Sequence, residues 1–175
     1  MPARTGTKGF MTHSLESIAA RLQRLEDLEA IRALIANYGP LADSGKAQAL
    51  AQLWSEGGEY EVVGFASAKG HEAIAGMIDG PVHRGLMADG CAHLLGPVAI
   101  DLDGDRAIAR GHSVVMRHVA GKSAGRFEVH RVSANRWMLE RRSDGWRVVH
   151  RANALLDGQE AARVLLTPPV APRPR

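Results

Sequence analysis

An α+β fold is predicted for this chain of 175 residues, with helices first and an antiparallel meander after them. Two observations carry the prediction. Up to residue 80, apolar residues recur at three- and four-residue steps. Beyond residue 90 they alternate in long runs separated by turn signals. The length suits one domain with a real core rather than two.

The elements follow in order. Ser14 caps a helix whose apolar face runs Leu15, Ile18, Leu22, Leu25, Leu28, Ile31 and Ile35. Gly39-Pro40 should kink or end it. A short second helix is expected in "GKAQALAQLWSEGG", with Leu50, Leu53 and Trp54 on one side, and a short strand in "EYEVVGF". "SAKGHEAIAGMIDGP" reads as a turn and a third short helix, closed by Asp79-Gly80-Pro81. "HLLGPVAIDL" begins the strands, and Gly96-Pro97 can bend it. "DGD" turns the chain into "RAIARGHSVVMRH", and a looser turn leads to the long strand "GRFEVHRVSANRWMLERR". "SDGW" opens the last hairpin, into "WRVVHRANALL".

Composition excludes several functions. No run approaches the ~18 apolar residues of a membrane span, and the N-terminus lacks the apolar core of a signal peptide. Cys91 is the only cysteine, so an internal disulfide and a cysteine metal cluster are both ruled out. A cytoplasmic protein is expected. Arg4, Lys8, Arg173 and Arg175 supply four positive charges, so the net +3 of the whole chain becomes −1 in its body. The basic character thus belongs to two tails expected to be disordered, 1–13 and the end of the chain, and no nucleic-acid partner is expected.

The segment "YGPLAD", residues 38–43, carries a tyrosine and the carboxylate of Asp43 among small apolar residues. Together with "LEDLEAIRALIANYGPLADSGKAQALAQLW", "KGHEAI", "CAHLLGPVAIDLDGD" and "SANRWMLERRSDGWRVVHRANALLDG", it resembles the SnoaL-like group of the nuclear-transport-factor-2-like (NTF2-like) superfamily, over residues 14–158. That group contains scytalone dehydratase, hexachlorocyclohexane dehydrochlorinase and bile-acid 7α-dehydratase. The resemblance implies a cone: a long curved antiparallel sheet with three helices packed on its concave side around a pocket. It also implies a homo-oligomer, a trimer ahead of a dimer. Residues 159–175 then form a C-terminal segment whose first part, 159–168, can be a helix over the pocket mouth.

By the same resemblance, Asp43 and His93 match the family's Asp-His dyad, Tyr38 the polar residue five before the aspartate, and Arg151 an arginine on the last strand. Imidazole is a suitable base near neutral pH. A carboxylate on one ring nitrogen fixes its tautomer and frees the other to take a carbon-bound proton. Arg151 would hold the developing anion and Tyr38 a leaving hydroxyl. Tyr60, Trp54 and Asn153 stand as candidate substrate contacts. Taken singly, each residue has a plainer reading: Asp43 as a cap, His93 as a satisfied strand histidine, Arg151 as half of a surface pair, Tyr38 as core. Trp54, Trp137 and Trp146 equally read as core or interface.

The expected function is a cofactor-independent lyase or isomerase acting on a small, hydrophobic, hydroxylated ring or polyketide-like compound. The alternative is a non-catalytic ligand-binding or assembly subunit, like the small subunit of ring-hydroxylating dioxygenases. No metal is expected, because no histidine spacing of the H-E-x-x-H kind occurs. "DLDGD" lacks the downstream glutamate of a calcium loop.

Overall fold

The computed structural model describes residues 14–121 and 125–169. The expected tail at 1–13, and the other tail beyond its first three residues 167–169, lie outside the described residues. Among the described residues, five helices, α1 (Leu15–Asp43), α2 (Ala47–Ala51), α3 (His71–Asp79), α4 (Pro81–Asp89) and α5 (Glu160–Leu166), accompany seven strands. The strands are β1 (Trp54–Val62), β2 (Ala66–Lys69), β3 (Cys91–Leu95), β4 (Ala99–Asp103), β5 (Arg106–His118), β6 (Phe127–Arg142) and β7 (Gly145–Leu155). They form one curved, unclosed sheet in the order β2-β1-β7-β6-β5-β3, with β4 also on β5. The pairs are antiparallel except β1 with β7. The α+β cone expected from the sequence is the fold observed.

Ser14 does cap α1: its hydroxyl accepts from the Ser17 N–H at 3.2 Å. The apolar face divides in two. Ile31 and Ile35 are buried in the core, each burial being worth about 2 kcal/mol, while Leu15, Ile18, Leu22 and Leu25 are exposed. Asp27, outside that apolar stripe, is buried as well. It accepts from Arg141 Nη2, from the Trp146 indole at 3.1 Å and from Gln23 at 3.3 Å, tying α1 to β6 and β7. The Arg141 hydrogen bond, chiefly, holds its carboxyl below the usual carboxylate range.

Three expectations need correction. Gly39-Pro40 does not end α1, which continues to Asp43; a proline in the last turn forfeits only one ladder bond. The second helix stops at Ala51, and Trp54 starts β1 instead, because the parallel pairing with β7 claims it. The third helix does close at Asp79, as expected, and Pro81 then opens α4, a helix the sequence reading did not include, where its missing N–H costs nothing. Gly96-Pro97 splits the first long strand into β3 and β4.

Two bulges set what faces inward. Val149 is the extra residue of β7 opposite Met138/Leu139, so that Val148 and Arg151 can both point into the cone. His130 is the extra residue of β6 opposite Val115/Met116. Helix α5 forms where a pocket cover was expected, but it packs on the outer face through Ala162 against Ala134 and Ala154. Arg136 and Arg110 donate to its last carbonyls and hold it there. No described helix is long and apolar enough to cross a membrane.

Candidate active site

The end of α1 meets β3 at unusually close range. A Cβ on Gly39 would lie 2.2 Å from the His93 carbonyl oxygen, so only glycine lets the strand rest on the helix there. One turn on, Asp43 grips the same residue twice. Its Oδ2 accepts from the His93 backbone N–H at 2.8 Å, and its Oδ1 from His93 Nδ1 at 2.5 Å. The Cys91 thiol also donates to Oδ1, at 3.5 Å. This arrangement explains why "YGPLAD" ends in a carboxylate. Asp43 is less buried than expected, however: its side chain is 25% exposed against 12% for His93.

With Nδ1 protonated toward Asp43, His93 keeps the lone pair of Nε2 on the side of a cavity of about 330 Å³ that it helps to line. Tyr38, Tyr60, Arg151 and Asn153 line the same cavity, as the sequence led us to expect. Trp54 does not. It lies behind the two tyrosines, its ring 5.6 Å from Tyr60 and 6.3 Å from Tyr38, with its indole N–H spent on the Glu59 carbonyl.

Arg151 is the most deeply buried charge among the described residues, 2% exposed. It pairs across the sheet with Tyr60 on β1 and Trp137 on β6. Its guanidinium carbon therefore sits 4.0 Å from the centre of the Tyr38 ring, 4.1 Å from Trp137 and 4.6 Å from Tyr60. Three π faces partly offset the cost of burying a cation. Nε and Nη2 donate to Asn135 Oδ1 at 3.1 and 2.8 Å, and Nη1 is buried without a partner. The Asn135 oxygen also accepts from Asn153, and its amide donates to Ser113. Burial pushes the Tyr38 phenol far above its ordinary value, so it stays a neutral donor, 3.4 Å from the Tyr60 hydroxyl.

The sequence reading missed His83. It sits on α4, which the sequence reading did not include; proline as a helix opener was the signal that could have found it. Its Nδ1–H donates to the Ile78 carbonyl at 3.1 Å, leaving Nε2 buried and unpartnered, with the ring 5.3 Å from that of His93. Burial above all lowers its pKa, which favours the neutral ring. Asn135, Ser113 and Arg131 were missed as well, since their roles depend on cross-strand register.

Asp43, Cys91 and His93 also lie near enough to one another to hold a metal ion. Burial and then Asp43 push the Cys91 thiol up to about 11. A roomier depression of about 700 Å³ beside Trp54 and His71 lies elsewhere. There His71 is already satisfied by the Trp54 carbonyl and by Gln52.

Comparison with known proteins agrees with this architecture. The SnoaL-like domain matches residues 23–152. An NTF2-like protein of cystatin-like fold from Novosphingobium aromaticivorans is 62% identical, covering 89% of this chain and 99% of its own, with a TM-score of 0.85. ActVI-ORFA from Streptomyces coelicolor is 17% identical over 75% of this chain and 98% of its own, with a TM-score of 0.65. A second N. aromaticivorans protein, provisionally named a scytalone dehydratase, is 16% identical over 75% and 85%, with a TM-score of 0.62. The last two likenesses show the fold alone. No curated protein matches the chain.

Proposed function

We propose, for a chain that belongs to the SnoaL-like family, that the cavity is the active site of a cofactor-independent lyase or isomerase. Its substrate would be a small hydroxylated ring or polyketide-like compound. The observation that carries this reading is the state of His93: Nδ1–H is held by Asp43 at 2.5 Å while Nε2 is free beside the cavity. Nε2 removes a carbon-bound proton, and Asp43 stabilises the imidazolium that forms. The electron pair moves toward an adjacent carbonyl oxygen, which Arg151 stabilises as it gains charge. Tyr38 or Tyr60 gives a proton to a departing hydroxyl in an elimination. In an isomerisation the proton returns to another carbon instead. The lone pair of His83 Nε2 accepts from a second substrate hydroxyl.

The domain is further taken to work as a homo-oligomer, a trimer ahead of a dimer. Leu94, Val132 and Met138 remain exposed on the outer face of the sheet, an apolar surface that a second copy would cover. A monomer by light scattering at micromolar concentration would contradict this.

The functional test offers the protein a panel of cyclic β-hydroxyketones in D₂O. Formation of the conjugated enone, or deuterium uptake at the α carbon, should appear with the wild type and vanish with His93→Ala. Neither signal from any compound, or equal signals from the variant, would leave a non-catalytic binding subunit as the better account.

A further inference from the structure

We infer that the ligand of this cavity is an organic acid, and that Arg131 at the cavity wall binds its carboxylate. The inference rests on the reading of the cavity as a substrate site and adds the charge of the substrate. Arg131, Arg151, His83, His93 and His130 all line the cavity, and no aspartate or glutamate does. Asp43, behind His93, is already spent on it.

Most arginines of these strands are paired with an acid: Arg106, Arg110, Arg117, Arg141, Arg142 and Arg147 each reach an aspartate or glutamate. Arg136, on the outer face, is spent on the last carbonyls of α5. Among the described residues, Arg131 and Arg151 are the strand arginines that line the cavity, and neither forms such a pair. They meet neutral acceptors: Arg151 the Asn135 amide, and Arg131 the Ser133 hydroxyl at 2.9 Å and the Asn153 amide oxygen at 3.4 Å. A guanidinium held by neutral oxygens is oriented but not neutralised. Two in one concave, mostly apolar site raise its potential, and the field favours an anion.

The two cations suit different groups. Arg151 lies under three rings with a single nitrogen unpartnered, which suits one oxygen of a carbonyl or enolate. Arg131 is only half-buried, and its planar fork suits a carboxylate. Val62, Phe65, Met77, Val82 and Leu86 line the cavity too and suit an apolar ring. The ligand is thus an apolar ring system with a carboxylate at one edge and a carbonyl or hydroxyl at another.

The test measures binding, so it stands apart from the turnover assay above. 2-Naphthoate and the neutral 2-naphthamide, two fused rings alike in size, are titrated into the full chain by calorimetry. A hydrogen-bonded charge pair contributes about 1.5–3 kcal/mol. Naphthoate should therefore bind at least about tenfold more tightly than the amide, and added salt should weaken only naphthoate. Arg131→Gln should remove the preference while leaving amide affinity unchanged, and Arg131→Lys should retain part of it. Equal affinities in the wild type, no binding of either probe, or an Arg131→Gln variant that keeps the preference or loses both ligands equally would overturn the inference. Preference for the acid in a protein that shows no turnover would separate this claim from the catalytic one.

Discussion

Helix α1 carries two carboxylates that reach across to the sheet, and they are used in opposite ways. Asp27 is closed: Arg141, Trp146 and Gln23 take its oxygens, and nothing faces a cavity. Asp43 is open: it too is fully engaged, but its partner His93 keeps one nitrogen unbonded beside a cavity. A carboxylate whose partners are all consumed acts as a clamp. One whose partner retains a lone pair beside a cavity can act in chemistry. The same contrast separates the paired surface arginines from Arg131 and Arg151.

The largest expected effect lies at the open end. His93→Ala and Asp43→Asn should each lower lyase or isomerase activity about 10²–10⁴-fold, the usual scale for losing general-base catalysis. Urea midpoints should move little, since both groups are partly exposed. A variant that loses stability and keeps activity would merge the two regions into one structural class.

The closed end should respond in reverse. Asp27→Asn should cost about 3 kcal/mol of stability, the scale for breaking a buried ion pair, with activity per folded molecule unchanged. Its carboxyl is held low in the fold. The clamp is therefore fully present above the unfolded pKa of ~3.9 and lost as pH falls through the lower folded value. Urea unfolding across the acid range should show wild-type stability falling in that window and a flatter curve for Asp27→Asn. Parallel curves would deny the clamp.

Gly39→Ala sharpens the comparison with a smaller effect. The new methyl must push β3 away from the helix, because a backbone oxygen stands where it would go. A loss of about 1–3 kcal/mol is expected from such overpacking, with reduced activity as His93 moves. Full stability and activity in this variant would show that the close contact is not needed.

Much of this was legible in the sequence, for definable reasons. The strand "RAIARGHSVVMRH" is observed with the bounds read for it, because alternation and the "DGD" turn agree. The Asp43–His93 pairing was reached through the register of the SnoaL-like resemblance, since no local signal links residues 50 apart. What stayed hidden depends on which side of the sheet an element meets. Trp54 follows an apolar helical pattern, yet strand pairing takes it. Helix α5 was read correctly as a helix and wrongly as a pocket cover, because its small face fits the alanines of the outer surface. Asp27 sits among charged neighbours that are exposed, and only the fold reveals its partners. Arg131 differs from the paired arginines solely in what surrounds it.

The central claim is that Asp43 holds the proton of His93 on Nδ1 and leaves Nε2 as a base, and long-range ¹H–¹⁵N spectra of the histidine rings test it most directly. At a pH where the ring is neutral, the account expects His93 in the Nδ1–H tautomer, with Nε2 shifted as an unprotonated nitrogen. In Asp43→Asn that preference should weaken or reverse while the other histidines keep their signals. A His93 ring protonated on Nε2 in the wild type, or one indifferent to Asp43→Asn, would contradict the account.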